Sequence, residues 1–140
     1  MRIRPFQPED TDAVVALWET AGLTRPWNDP LQDIARKATV QPHLFVVAED
    51  ETGRILGSVM AGYDGHRGWM NYLATNLDAR GLGVGRALVA HVEAGLRDLG
   101  CPKVNLQVRS GNAQVVEFYR RLGYEIDDTV DLGKRLIADV

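Results

Sequence analysis

Cysteine is almost absent from this 140-residue chain: Cys101 stands alone. No internal disulfide can form, and no Cys/His set has the spacing of a zinc site. The expectation is a reducing, cytoplasmic setting and no metal. Long apolar runs are missing too, and Met1-Arg2-Ile3-Arg4-Pro5-Phe6 lacks the apolar region of a signal peptide. This predicts a soluble, unprocessed protein without a membrane partner. Basic excess is also lacking. A net charge of −3, with no stripe of Lys or Arg, leaves nothing to neutralise a phosphate backbone and argues against nucleic acid as a primary partner. There is no repeat, linker or low-complexity segment, and 45% hydrophobic with 25% charged residues is ordinary globular composition. Residues 1–140 therefore read as one domain.

What is present alternates between short strands and amphipathic helices. A first strand over residues 1–7 gives way at Pro8-Glu9-Asp10 to a helix whose Val14, Leu17, Trp18 and Ala21 form one apolar stripe, ended by Gly22. The connector Thr24-Arg25-Pro26-Trp27-Asn28-Asp29-Pro30 leads to a second helix, with Asp29 as N-cap and Pro30 at its first position. Leu31, Ile34, Ala35 and Ala38 are its expected buried face. Strands over 44–49 and 54–62 form an antiparallel hairpin, and Gly62 to Gly68 leads into a strand over 69–77. A third helix runs from Val84 to about Leu99, a strand from Lys103 to Arg109, and a fourth helix from its cap Asn112 to about Leu122. Tyr124 to Ile137 is expected to hold one or two final strands. This order is α+β: a mixed, mostly antiparallel sheet with about four helices.

Arg80-Gly81-Leu82-Gly83-Val84-Gly85-Arg86 sits between a strand and a helix. Helix N-terminal N–H groups and the helix dipole favour an anion there, and glycines let backbone approach phosphate oxygens without a Cβ clash. A glycine turn for plain chain reversal is the alternative. No lysine follows, as a P-loop requires, and the next strand carries Asn105 and Gln107 where a dinucleotide fold places an acid for the ribose.

The segment Leu73-Ala74-Thr75-Asn76-Leu77-Asp78-Ala79-Arg80-Gly81-Leu82-Gly83-Val84-Gly85 resembles the signature of the GNAT acetyltransferase superfamily, [QR]-x-x-G-x-[GA] after a strand end, met by Arg80, Gly83 and Gly85. Asn112 to Tyr119, followed by Arg-Leu-Gly-Tyr, is similar to the family's second block. Two blocks about 30 residues apart are far more specific than either alone. Thr75 and Leu77 depart from the usual Val and Pro, and Arg-Pro-Trp-Asn-Asp-Pro resembles a bacterial subgroup. The resemblance implies a GNAT fold in which the fourth and fifth strands splay apart. It implies acetyl-CoA as cosubstrate, with backbone of Leu73, Ala74 and Thr75 on the pantetheine arm, N–H groups from Gly81 to Arg86 on the diphosphate, and Arg86 adding charge. A homodimer is common in the family.

Acetyl transfer to an amine needs a neutral nucleophile, oxyanion stabilisation and a proton for the departing thiolate. Tyr119 lies seven positions after Asn112, two helical turns on, so both can face one cleft. A phenol is protonated at neutral pH, and the family places its general acid here; a core role for Tyr119 is the alternative. Asn112 can contact the cosubstrate, cap the helix, or do both. A backbone N–H near Leu73 or Ala74 is the expected oxyanion donor if a bulge splays this strand. Relatives that acetylate ribosomal-protein N-termini carry a glutamate where this chain has Gln107, which cannot accept a proton. His66, Asp64, Glu49, or water held by Asn71 and Tyr72 remain as bases, His66 having the suitable intrinsic pKa. Trp27 and Asn28, between two prolines, are candidates for binding the amine acceptor, although Trp27 can equally be packing. A non-catalytic acetyl-CoA-binding sensor is the competing reading, kept alive by Gln107.

Overall fold

Alternating apolar residues need a surface to bury, and the hairpin segments supply it for one another. In the computed structural model, which describes residues 1–139, β1 (Arg2–Pro5), β2 (Phe45–Glu49), β3 (Ile55–Tyr63), β4 (Gly68–Thr75) and β5 (Val104–Leu106) form one sheet in that order. The first four strands are antiparallel and β5 runs parallel to β4. With α1 (Thr11–Thr20), α2 (Pro30–Lys37) and α3 (Val84–Asp98) they make up a compact unit of residues 1–106 and Asp139; residues 107–138, containing α4 (Ala113–Arg121), form a second.

Neighbouring residues of β3 show how the first unit is layered. Ser58 Oγ accepts from Trp18 Nε1 of α1 at 2.8 Å, whereas a Cβ on Gly57 would meet Val84 and Leu88 of α3 at 2.9 and 3.0 Å. Adjacent strand residues point to opposite faces, so α1 and α3 cover opposite sides of the sheet. Trp18, Val14 and Leu17 pack with Phe45, Val47, Met60 and Ala74 on one side. Val84, Leu88, Val89, Val92 and Leu96 are buried on the other. Burying a Leu or Val contributes about 1.5–3 kcal/mol, so these two layers dominate stability.

Three expectations need correction. On α2, Leu31 is 54% exposed and Ala35 and Ala38 are exposed, while Lys37 is buried and donates to Ala61 O. Only Ile34 of the expected face packs inward. Polar tethers, rather than apolar side chains, set the rotation of this eight-residue helix. The fifth strand is shorter than expected, Val104–Leu106, because pairing with β4 stops at Met70. In the second unit, residues 124–138 form no strand; Val130, Leu132 and Leu136 are over 85% exposed, and alternation without a surface to cover does not build a ladder.

Candidate active site

The glycine turn follows β4 and a short 3-10 turn over Leu77–Ala79. Gly81 and Gly83 have φ of +81° and +80°, in the left-handed region that a Cβ disfavours, and Gly83 is the N-cap of α3. Having no side chain, it offers no capping oxygen to the first helical N–H groups. Leu82 N reaches Ala79 O and Ala87 N reaches Gly83 O, but among the described residues the N–H groups of Gly81, Gly83, Val84, Gly85 and Arg86 have no acceptor. Those of Val84, Gly85 and Arg86 open the first turn of α3, at the positive end of its dipole. Arg80 and Arg86 are exposed, and their guanidinium groups make no ion pair among the described residues. An anion with several oxygens fits this cradle.

Just upstream, β4 carries a bulge against β3. Ser58 pairs with Ala74 and Met60 with Asn71, so Tyr72 and Leu73 together oppose Val59. Tyr72 has φ of +55°, unusual for an aromatic residue. Asn76 N donates to Leu56 O, which turns Asn76 and, by alternation, Ala74 toward β3. Leu73 and Thr75 therefore direct their N–H and C=O groups away from β3, along the side on which β5 pairs only Gly68 to Met70. They can bond the amides of an extended ligand.

The connector between α1 and α2 is a tight turn, with Asn28 N donating to Arg25 O at 3.1 Å and Pro26 at its second position. The Arg25 guanidinium folds back onto Gly22 O and Thr24 O, and Trp27 stands 55% exposed at the apex. Asn28 Nδ2 turns inward, donating to Asp33 Oδ2 at 2.6 Å and to the Tyr72 hydroxyl at 3.1 Å. Tyr72 donates to the same Asp33 oxygen at 2.5 Å and stacks on Trp18 with centroids 3.8 Å apart. Burial, then the Asp33 carboxylate, pushes the Tyr72 phenol well above its ordinary pKa. Asp29 caps α2 by accepting from Leu31 N, as expected; its own N–H donates to Asp139 Oδ2, and Asp139 Oδ1 accepts from Arg36. Sequence reasoning missed Asp33, 39 residues from its partner Tyr72.

The base candidates are dispersed. His66 is exposed in the β3–β4 turn, and the strand from Gly68 to the bulge is roughly 16 Å long, so the fold does not bring it to Leu73. Asp64 accepts from the N–H groups of His66 and Arg67, both at 2.8 Å, which hold its carboxyl below the usual range. Glu49 is ion-paired with Arg4 at 3.1 Å. None of the three is presented to β4's bulge.

In the second unit Asn112 caps α4, its Oδ1 accepting from Val115 N at 3.4 Å, and lines an open groove of about 360 Å³ with Gly111, Ala113, Val116, Glu117 and Arg120. Tyr119 is buried, edge-on to Phe118 and Tyr124, and burial pushes its phenol up to about 12. It therefore carries its proton at neutral pH. Gln107 Nε2 donates to Asp131 Oδ2 at 2.7 Å.

The chain is similar to known proteins in sequence and in fold. The sequence model of the acetyltransferase (GNAT) family matches residues 12–124. An acetyltransferase of Yersinia enterocolitica is 52% identical over 139 residues, covering 99% of this chain and 98% of its own. The crystal structure of Ard1 from Thermoplasma volcanium superposes with a TM-score of 0.78 at 26% identity, over 90% of this chain and 83% of that one. Chaetomium thermophilum Naa20, solved in complex with a bisubstrate analogue, gives 0.76 at 26% identity, over 90% and 72%.

Proposed function

The chain belongs to the GNAT acetyltransferase family and is an acyltransferase; from that premise we propose that it moves acetyl from acetyl-CoA to a primary amine by direct attack in a ternary complex. The observation that carries this reading is the set of N–H groups of Gly81, Gly83, Val84, Gly85 and Arg86 that have no acceptor among the described residues, following a strand whose Leu73 and Thr75 face away from β3 beyond the last β5 pair. Diphosphate on the first and pantetheine amides on the second account for both. Arg80 and Arg86 add positive charge.

The amine lone pair attacks the thioester carbonyl, and the Leu73 N–H at the bulge stabilises the oxyanion. The C–S bond then breaks, the electron pair leaves with sulfur, and Tyr119 donates a proton to the thiolate. A phenol near 12 is a weak acid, but it is reliably protonated when the thiolate departs. The amine gives its proton to water at Asn71, the exposed residue beside the bulge. Asn112 joins the cosubstrate contacts, and Trp27 on its rigid turn forms a wall of the acceptor site. Asn28 contributes there chiefly by holding the turn, since its amide nitrogen is engaged.

The test is a thiol-release assay with acetyl-CoA against a panel of amines and peptides. Tyr119→Phe is expected to lower kcat about 100-fold while leaving acetyl-CoA affinity unchanged. Gln107, which donates a hydrogen bond to Asp131 where relatives carry a glutamate, favours one second reading, a sensor that binds acetyl-CoA without turning it over. Wild-type binding without thiol release from any amine would establish that reading instead.

A further inference from the structure

We propose that Tyr72 is a positioning residue for acetyl transfer, clamped by Asp33 and Asn28 so that the turn carrying Trp27 and the bulge of β4 keep one fixed geometry. The proposal rests on the acetyl-transfer reading. A non-glycine residue in the left-handed region is strained and persists only where its surroundings over-determine it. At Tyr72 they do so from both ends. Its hydroxyl donates to Asp33 Oδ2 at 2.5 Å and accepts from Asn28 Nδ2 at 3.1 Å. Its carbonyl accepts from Ser58 Oγ at 3.1 Å, and Ser58 is itself held by Trp18 Nε1 at 2.8 Å. Its ring lies on Trp18, with an interplanar angle of 12°. Trp18 thus grips Tyr72 directly through the ring and indirectly through Ser58.

If the bulge needed only a left-handed backbone, glycine would supply it without strain and without a phenol. What the phenol adds is the connection. Asn28 closes the Arg25 turn through its backbone N–H and reaches Tyr72 and Asp33 through its side chain. Asp33 Oδ2 takes two donors and Oδ1 takes Arg36 at 3.3 Å, so its carboxylate is committed to holding neighbours rather than to abstracting a proton. Any shift of the connector is therefore carried by Tyr72 to the peptide of Leu73, the expected oxyanion donor. Misplacing such a donor by a fraction of an ångström lowers rate without lowering cosubstrate affinity.

Tyr72→Phe keeps the stacked ring and removes the hydroxyl. With the best amine of the panel, kcat for thiol release is expected to fall about tenfold, with the KM for acetyl-CoA changed by less than about twofold. Asp33→Ala should reproduce this split, and Asp33→Asn, which keeps an oxygen for the phenol, should restore most of the rate. Asn28→Ala tests the same link from the connector should Tyr72→Phe fold poorly. Wild-type kcat in Tyr72→Phe and Asp33→Ala, with only the Tm lowered, would overturn the proposal while leaving the acetyl-transfer reading intact. Acetyl-CoA binding by the wild type without thiol release from any amine would overturn that reading, and the positioning role with it.

Discussion

Two glycine-rich turns flank β4, and they treat their backbone N–H groups in opposite ways. Between β3 and β4, Asp64 spends its carboxylate on the N–H groups of His66 and Arg67 and on Trp69 Nε1, so the turn satisfies itself. Between β4 and α3 the N-cap is Gly83, no side chain folds back, and the N–H groups of Gly81, Gly83, Val84, Gly85 and Arg86 have no acceptor among the described residues. Glycine content is the same signal in both. The presence or absence of an internal carboxylate decides which turn is closed and which can receive a ligand's negative charge.

That contrast can be broken by giving the open turn what the closed one has. Gly83→Asp strains the left-handed backbone but places a carboxylate at the start of the helix; acetyl-CoA affinity by calorimetry should fall about 100-fold. Arg86→Ala leaves the N–H groups intact and removes one charge, so the loss should be nearer fivefold, with a flatter dependence of affinity on salt. Asp64→Ala opens the closed turn and should lower the Tm by a small amount with acetyl-CoA affinity unchanged. The acid limb sharpens this last expectation. The folded-state pKa of Asp64 is depressed by the N–H groups of Arg67 and His66. Its contribution is therefore present above the unfolded carboxylate pKa, about 3.9, and lost as pH falls through the lower folded value. Thermal melts across that window should lose their Asp64-dependent slope in the variant.

Local patterns made much of the fold legible. The β2–β3 hairpin, the Asp29-Pro30 start of α2, the glycine turn and the span of α3 all rest on neighbours in sequence, where periodicity and caps operate. What escaped depended on distant partners. The face of α2 was misjudged because Asp33 and Lys37 are anchored to Tyr72 and Ala61, residues that no helical pattern can bring to mind. The bulge entered only as a condition for an oxyanion donor, and its left-handed residue not at all, since a tyrosine at 72 advertises a strand and not a φ of +55°. His66 showed the converse failure: its intrinsic pKa suited a base, yet its position at the far end of β4 did not. The apolar residues of 124–138 gave a strand pattern with no sheet to join.

Gly57 has a consequence for the energetics of binding. With α3 resting against it, the first turn of the helix is seated on the central strand through Val84 and Leu88, both buried. The N–H groups proposed to receive an anion are thus continuous with a buried, well-packed part of the first unit. A ligand bound there pays little conformational entropy for the backbone it meets, and what the contacts provide goes into affinity.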